Sequence, residues 1–379
     1  MEASIYNYSL CIALTLMLWF GFNFLFAKAP NKPIYDIYLR SRRIMGVAIL
    51  LLALNYSVHF FFGIRFKNAN AAILMNLSTY FICYWLFGSA LTVLLDRQYI
   101  TVRRMRTHIA LWILFSALSA VVLLWLPEGH FQKSMLWVMA AFLVGYGLML
   151  SRRLLLLYKQ RVRLFKDTHS DDIGAYIKWL SIFTYWAIVF GVGCGLLTFL
   201  PDDYVFVWVL SSIPFYIYLF HCYQSYLLFY EQVEQAMEED SAIVSEENIH
   251  VEELQHKYVY VEDNDNPAYY ADIVARVGEW MKADGYLHPG LTINELADML
   301  HTNRTYLSAY INSTYHANFR DWIAGLRLGY AKRLLVAQPE LTIAVIAEKS
   351  GFQSASHFIR LFKEDTGCSP AKWRKNKLE

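Results

Sequence analysis

Residues 291–297 read Leu291-Thr292-Ile293-Asn294-Glu295-Leu296-Ala297, and 50 residues later the pattern returns as Leu341-Thr342-Ile343-Ala344-Val345-Ile346-Ala347. Each copy opens on a Thr suited to an N-cap, where its hydroxyl accepts a bond from an otherwise orphaned amide. The first copy adds Glu295, which completes a capping box. Each then sets Ile, Leu or Ile, and Ala at i, i+3 and i+4, the buried face of a short helix. After a turn, each copy has a second helix. Leu307 and Ile311 anchor the first, and Phe358 and Phe362 anchor the second at an offset of 51.

Helix, short turn, helix with a polar outer face is the plan in which the second helix enters the major groove of DNA. One such unit is weak testimony, since any helical pair looks alike. Two in tandem are far more specific. Between them, Asn318 to Val336 carries one apolar stripe of Phe319, Trp322, Ile323, Leu326, Tyr330 and Leu334, which predicts a single linking helix. Gly325 and Gly329 weaken it by about 1 kcal/mol each, and close packing against a neighbour is expected there in return. From Gly285 to the end there are twelve Lys or Arg against eight Asp or Glu. The surplus is concentrated in Arg360, Lys363, Lys372, Arg374, Lys375 and Lys377, groups able to bind phosphates with salt-dependent affinity.

Upstream, Tyr269 to Lys282 predicts one amphipathic helix, closed by Gly285 and Pro289. Before it, residues 231–267 hold twelve acidic side chains and one base, Lys257. That composition fits a solvated tether. Tyr226, Tyr230, Val233, Met237, Val244, Val251, Leu254 and Tyr258 also follow three- and four-residue steps, interrupted by Asp240 and Glu247, which would suit a short two-stranded coil. Both readings stay open.

The first 230 residues are of another kind. Mean hydropathy over the whole chain is +0.29 and 56% of its residues are apolar, against about 45–50% for a soluble domain. The excess lies almost wholly here. A spanning helix needs about 20 apolar residues, and seven stretches qualify: 5–27, 44–66, 71–95, 108–126, 135–157, 179–200 and 204–229. Lys and Arg in short loops favour the cytoplasm. The first, third and fifth loops carry sixteen, among them Lys28, Arg43, Arg104 and Arg163. The opposite side carries three: Arg65, Lys67 and Lys133. The N-terminus is therefore expected outside and the C-terminus inside. The first apolar run lacks the basic flank of a cleavable leader.

Polar groups inside spans are costly and mark either a ligand site or interhelical glue. Asn55 and His59 share one helix face, Asn76 and Tyr80 share the next, and His221 and Gln224 lie in the seventh span. Asn55, His59, Asn76 and Tyr80 are the candidates for a small-molecule signal. Gly191, Gly193 and Gly195 predict close helix packing, and Pro214 a kink. Cys11, Cys83, Cys194, Cys222 and Cys368 form no CxxC pair, so neither a disulfide framework nor a zinc site is expected. No catalytic constellation, metal site or cofactor motif is found.

Ile346 to Lys375, "IAEKSGFQSASHFIRLFKEDTGCSPAKWRK", resembles the C-terminal signature of the AraC/XylS family of bacterial transcription regulators. It has the Ile-Ala, the Gly-Phe, a Ser, Phe-x-Arg-x-Phe-Lys, Gly-x-Ser-Pro and an aromatic-Arg. The resemblance covers about 95 residues and leaves the apolar half untouched. It implies two recognition helices, here Asn303 to Thr314 and Ser354 to Asp365, in successive major grooves of promoter DNA. Arg360 stands where the family often sets an Arg on bases, and Arg reaches guanine O6 and N7 together. Ser356, His357, Lys363 and Arg374 join it, with Arg304, Thr305 and Ser308 from the first helix. Two departures stand out. Ala309 aligns with Arg360 where many relatives also carry Arg. Tyr315-His316 replaces a Gly-containing turn.

The resulting expectation is an all-α chain. A seven-helix membrane domain spans 1–230, an acidic linker 231–267, and a tandem helix-turn-helix domain 268–379. It would be a one-component regulator in the bacterial inner membrane, not an enzyme, with its DNA-binding domain in the cytoplasm. Its partners would be double-stranded promoter DNA, membrane lipid, RNA polymerase, a second copy of the chain, and a signal sensed by the spans. Two alternatives are spans that only anchor, and a transporter with a regulatory DNA-binding tail.

Overall fold

The computed structural model describes residues 2–127, 129–197, 205–257 and 267–378; side chains at 2–4, 194–197, 205, 208, 239–257 and 267–271 lie outside the description. Every named element is a helix. In order they are α1 Glu2–Phe26, α2 Asp36–Phe62, α3 Ile64–Lys67, α4 Ala69–Val93, α5 Val102–Leu124, α6 His130–Thr168, α7 Ile173–Tyr176, α8 Lys178–Leu197, α9 Val205–Lys257, α10 Pro267–Lys282, α11 Ile293–Met299, α12 Arg304–Tyr315, α13 Phe319–Ala337, α14 Ile343–Lys349, α15 Ala355–Thr366 and α16 Pro370–Leu378. Among the described residues the one β-type pairing is an isolated bridge, His169 to Thr292. The chain forms two compact units: residues 1–160 with 177–231, and residues 161–176 with 232–379.

In the first unit, six helices among the described residues are long and apolar enough to cross a membrane. They answer the first six expected spans. The seventh, 204–229, begins at the edge of the described residues and falls within α9, which is not among the six. The second span was expected to run to 66, but α2 ends at Phe62. Gly63 turns the chain with a φ of +55°, which ends the α2 hydrogen-bond ladder and separates α2 from α3. The unit's exterior is apolar. Phe26, Phe61, Trp125, Val189 and Leu228 are all exposed.

Its interior is aromatic. Phe81 stacks on Tyr146 with ring centroids 4.3 Å apart and on Phe115 at 4.9 Å. Helices α1 and α2 meet at glycines, where a Cβ on Gly21 would fall 2.5 Å from the Leu50 side chain. Of the expected glycine stretch, Gly191 lies beneath Tyr84, whose hydroxyl donates to the Gly191 carbonyl at 2.5 Å. α9 runs unbroken past Pro214. Tyr226 and Tyr230, the first two positions of the candidate coil, pack on Tyr38 at 6.5 and 5.4 Å. Those two side chains are therefore used within this unit. The coil positions beyond Met237 lie outside the described side chains.

The second unit has two small cores joined by α13. Ile293, Leu296, Ala297, Leu307 and Ile311 meet Phe319, Trp322 and Ile323 from the start of α13. Ile346, Ala347, Phe358 and Phe362 meet Leu328, Ala331, Leu334 and Leu335 from its end. Local chemistry sets each helix start. Asn303, Asn318, Thr342 and Ser354 each accept an amide bond at an N-cap, and Thr292 with Glu295 forms a full capping box. The expected close packing at Gly325 and Gly329 is not found: a Cβ on either would meet open space. Gly325 is exposed and Gly329 half-buried.

Candidate nucleic-acid interface

The two recognition helices, α12 and α15, are built alike. Each has 12 residues, an Asn or Ser N-cap, and a left-handed residue after its last turn. After α12 that residue is His316, φ +52°; after α15 it is Gly367, φ +78°. The turns that precede them match as well: His301, φ +50°, holds the place that Gly351, φ +81°, holds 50 residues on. A histidine in this region bears a steric penalty that glycine escapes. The first unit thus forms its turns without the glycines of the second.

Their outer faces differ. On α15, Ser356, Ile359, Arg360 and Lys363 are exposed around buried Phe358 and Phe362. On α12, Thr305, Tyr306 and Ala309 are exposed, while Arg304 and Ser308 are half-buried. Two expected contact residues are engaged within the domain. His357 sits edge-on to Phe352 at 6.1 Å, leaving Ser356 and Arg360 as the exposed members of its turn. Arg374 donates from Nη1 to the Leu341 carbonyl at 2.6 Å and ties α16 to the start of the second unit.

Residues that sequence reasoning passed over complete this surface. The segment between α6 and α8 belongs to the same compact unit as the helix-turn-helix pair. Ser170 donates its amide to the Leu291 carbonyl at 3.0 Å beside the His169–Thr292 bridge. Asp171 lies 3.5 Å from the Arg327 guanidinium. Arg327 is 1% exposed; its Nε donates to the Tyr286 carbonyl at 2.8 Å and its Nη2 to the His288 carbonyl at 2.7 Å. Asp172 accepts from Arg320 at 2.6 Å and from Arg360, and it faces His357 Nε2 at 3.9 Å. One signal was available: an Asp-Asp pair in the most basic loop of the chain.

Electrostatics follow this packing. Burial pushes the Asp171 carboxyl up, more than Arg327 beside it brings it down. Burial would raise Asp172 too, but Arg320, Arg360 and His357 together outweigh it and hold the carboxyl below its ordinary range. Burial also draws His357 below the usual histidine value, against the pull of Asp172, and Arg360, Arg320 and Arg327 add to that lowering.

The four polar candidates of the apolar unit divide. Asn55 donates to Thr79 Oγ1 at 3.1 Å, and His59 Nε2 shares a hydrogen bond with Asn76 Oδ1 at 3.0 Å, so these three join α2 to α4. Tyr80 instead lines a cavity of about 120 Å³ with Tyr84, Phe183, Thr184, Ser212 and Tyr216. Among the described residues no group of His, Cys, Asp and Glu is placed to hold a metal ion.

The helix-turn-helix domain family matches residues 296–376, and the C-terminal region is a helix-turn-helix domain of the AraC type. Over 89 residues the chain is 37% identical to the HTH-type transcriptional regulator YobQ of Bacillus subtilis, covering 24% of this chain and 36% of that protein. It is 32% identical over 85 residues to the Msm operon regulatory protein of Streptococcus mutans, 22% and 30% of the two chains. It is 36% identical over 67 residues to the HTH-type transcriptional regulator ExsA of Pseudomonas aeruginosa, 18% and 24%. The chain thus spans about a third or less of the length of these relatives. No solved structure matches it.

Proposed function

We propose that the chain is a membrane-embedded one-component transcription regulator, whose C-terminal domain binds promoter DNA in the cytoplasm. The observation that carries this reading is the paired build of α11–α12 and α14–α15 on the single strut α13, each with an N-capped second helix and an outward polar face. One rigid strut fixes the separation of the two helices, as reading successive turns of one DNA face demands. Arg360 is the base reader, Lys363 contacts phosphate, and Thr305, Ser308 and Ser356 support the register. Arg304 assists from α12.

Membrane embedding is supported by six long apolar helices with an apolar exterior. The orientation is supported by the segment 161–176. It lies in the loop that the positive charges assign to the cytoplasm, and it packs in one unit with the DNA-binding domain. The Tyr80 cavity is the place in the spans where a lipid-soluble signal would act. The relatives are named as regulators, in keeping with a role other than catalysis. A second copy and RNA polymerase are the further partners of this reading.

The test uses the full-length chain in nanodiscs, and a duplex enriched from a random-sequence pool. Arg360→Ala is expected to lower the ratio of affinities for this duplex and a scrambled one by about 1–3 kcal/mol. An unchanged ratio removes Arg360 as base reader; absence of any duplex binding at low salt removes the function.

A further inference from the structure

Arg360 is engaged before any DNA arrives. Its partner, Asp172, comes from the segment between α6 and α8, 188 residues away in sequence. The same carboxylate holds Arg320 and faces His357. Its neighbour Asp171 meets the buried Arg327. Asp167, the penultimate residue of α6, faces Arg163 at 3.9 Å and also feels the charge of Arg304 on the first recognition helix. One 16-residue stretch therefore sets a carboxylate against the arginine of the second recognition helix.

A carboxylate accepting from Arg320 and Arg360 together has the charge and acceptor geometry of a DNA phosphate. Its docking does not rest on charge alone, since the Ser170 amide and the His169–Thr292 bridge fasten it by backbone. Asp172 and Arg320 are each 16% exposed, so their contact is shielded from water and salt more than a surface pair is, while Arg360, 48% exposed, stays within reach of solvent and of DNA. Arg360 cannot satisfy Asp172 and reach a guanine edge at once.

We infer that residues 161–176 form an internal clasp, in which Asp172 occupies Arg360 and competes with duplex DNA for the second recognition helix. The inference rests on the DNA-binding reading above and names the regulation of that site. The clasp is covalently continuous with apolar helices on both sides, α6 and α8. Any displacement of these two helices is therefore passed to Asp172, and opening the clasp frees Arg360. A ligand shifts such an equilibrium only by its differential affinity for the two states.

The full-length chain in nanodiscs is titrated with the enriched duplex and with its scrambled counterpart. Asp172→Asn removes the charge; Ser170→Pro removes the amide that fastens the segment and leaves every charge in place. Each is expected to tighten duplex binding about tenfold, in the range usual for coupling between sites, and Asp172→Glu to restore wild-type affinity. Arg360→Ala in the wild-type background reports the reading itself. If Arg360→Ala weakens preference for the enriched duplex while Asp172→Asn and Ser170→Pro leave affinity unchanged, the clasp is refuted and DNA binding stands. If no variant binds duplex, both fall. Should Asp172→Asn misfold by circular dichroism, Ser170→Pro decides alone: tighter binding upholds the clasp, and unchanged or weaker binding overturns it.

Discussion

A Cβ placed on Gly351 would fall 2.5 Å from the carbonyl oxygen of Leu287. Gly351 is the turn glycine of the second helix-turn-helix unit, and Leu287 precedes the first. The two halves of the domain thus touch through backbone, where no side chain can give way. Gly351 also has a φ of +81°, a region that other residues enter at a cost. Gly351→Ala is expected to lose more than about 2 kcal/mol of stability. Gly367→Ala, with φ +78° and open space around its Cβ, should lose only about 1–2 kcal/mol. Hydrogen exchange in α13 of the two variants makes the comparison; equal losses would mean that the Leu287 contact carries no weight.

Arg327 sits at the centre of the same junction. It is buried, and it satisfies the carbonyls of Tyr286 and His288 while facing Asp171. Arg327→Met keeps the volume and leaves two carbonyls and a carboxylate without their donor. Removing one partner of a buried pair typically destabilises by about 3–5 kcal/mol. Asp171→Asn should lose less, because Arg327 keeps both carbonyls and an amide oxygen at 171 can still accept from its guanidinium. Urea unfolding followed by exchange in α13 tests the order of the two; a milder effect for Arg327→Met would contradict it.

This junction shows where sequence patterning stops. The starts at Thr292 and Thr342 were legible because a cap is local, each side chain bonding an amide three residues on; those at Asn303 and Ser354, capped in the same way, came from the family resemblance. The cores of both units were legible because periodicity states which face is buried. Six of the apolar spans followed from length and apolar composition together. Partners at long range leave no such trace. Arg327 reads as one more exposed base, and the Asp172 contact with Arg360 joins residues of two unlike regions. Asn55, His59 and Asn76 were rightly marked as polar groups in an apolar setting, yet only the contact between α2 and α4 shows what they bond.

Arg374 illustrates the same limit and yields a separable prediction. Counted among the phosphate-binding charges, it donates instead to the Leu341 carbonyl. A hydrogen bond made by a charged group is worth about 1.5–3 kcal/mol, and this one is half-buried. Arg374→Ala should therefore lower the stability of the second helix-turn-helix unit and leave the salt dependence of duplex binding unchanged. Exposed Lys363 should behave in the opposite way. Lys363→Ala is expected to leave stability alone and to reduce the slope of log affinity against log salt by about one. A salt titration with both variants distinguishes them, and a reduced slope for Arg374→Ala would return it to the phosphate contacts.

His357 supplies a pH dependence whose sign runs against first intuition. Its neighbour Asp172 would favour the imidazolium, which suggests a tighter contact in acid. Burial together with Arg360, Arg320 and Arg327 prevails, and the folded-state pKa lies below the ordinary 6.5. The neutral ring is the form that the fold prefers. As pH falls through 6.5 the unfolded chain takes up the proton first, so stability declines until the lowered folded-state value is reached. Asp172, with its own pKa lowered from 3.8, keeps its charge throughout this interval and starts to lose its contribution only in stronger acid. Exchange protection of α15, corrected for the intrinsic pH dependence of exchange, should fall between pH of about 7.5 and 5.5. His357→Gln should flatten that fall by removing the titrating group while keeping a polar side chain of similar size. A variant that retains the full wild-type decline would assign the effect to another histidine. Protection that rises in acid would show that the carboxylate governs the ring after all.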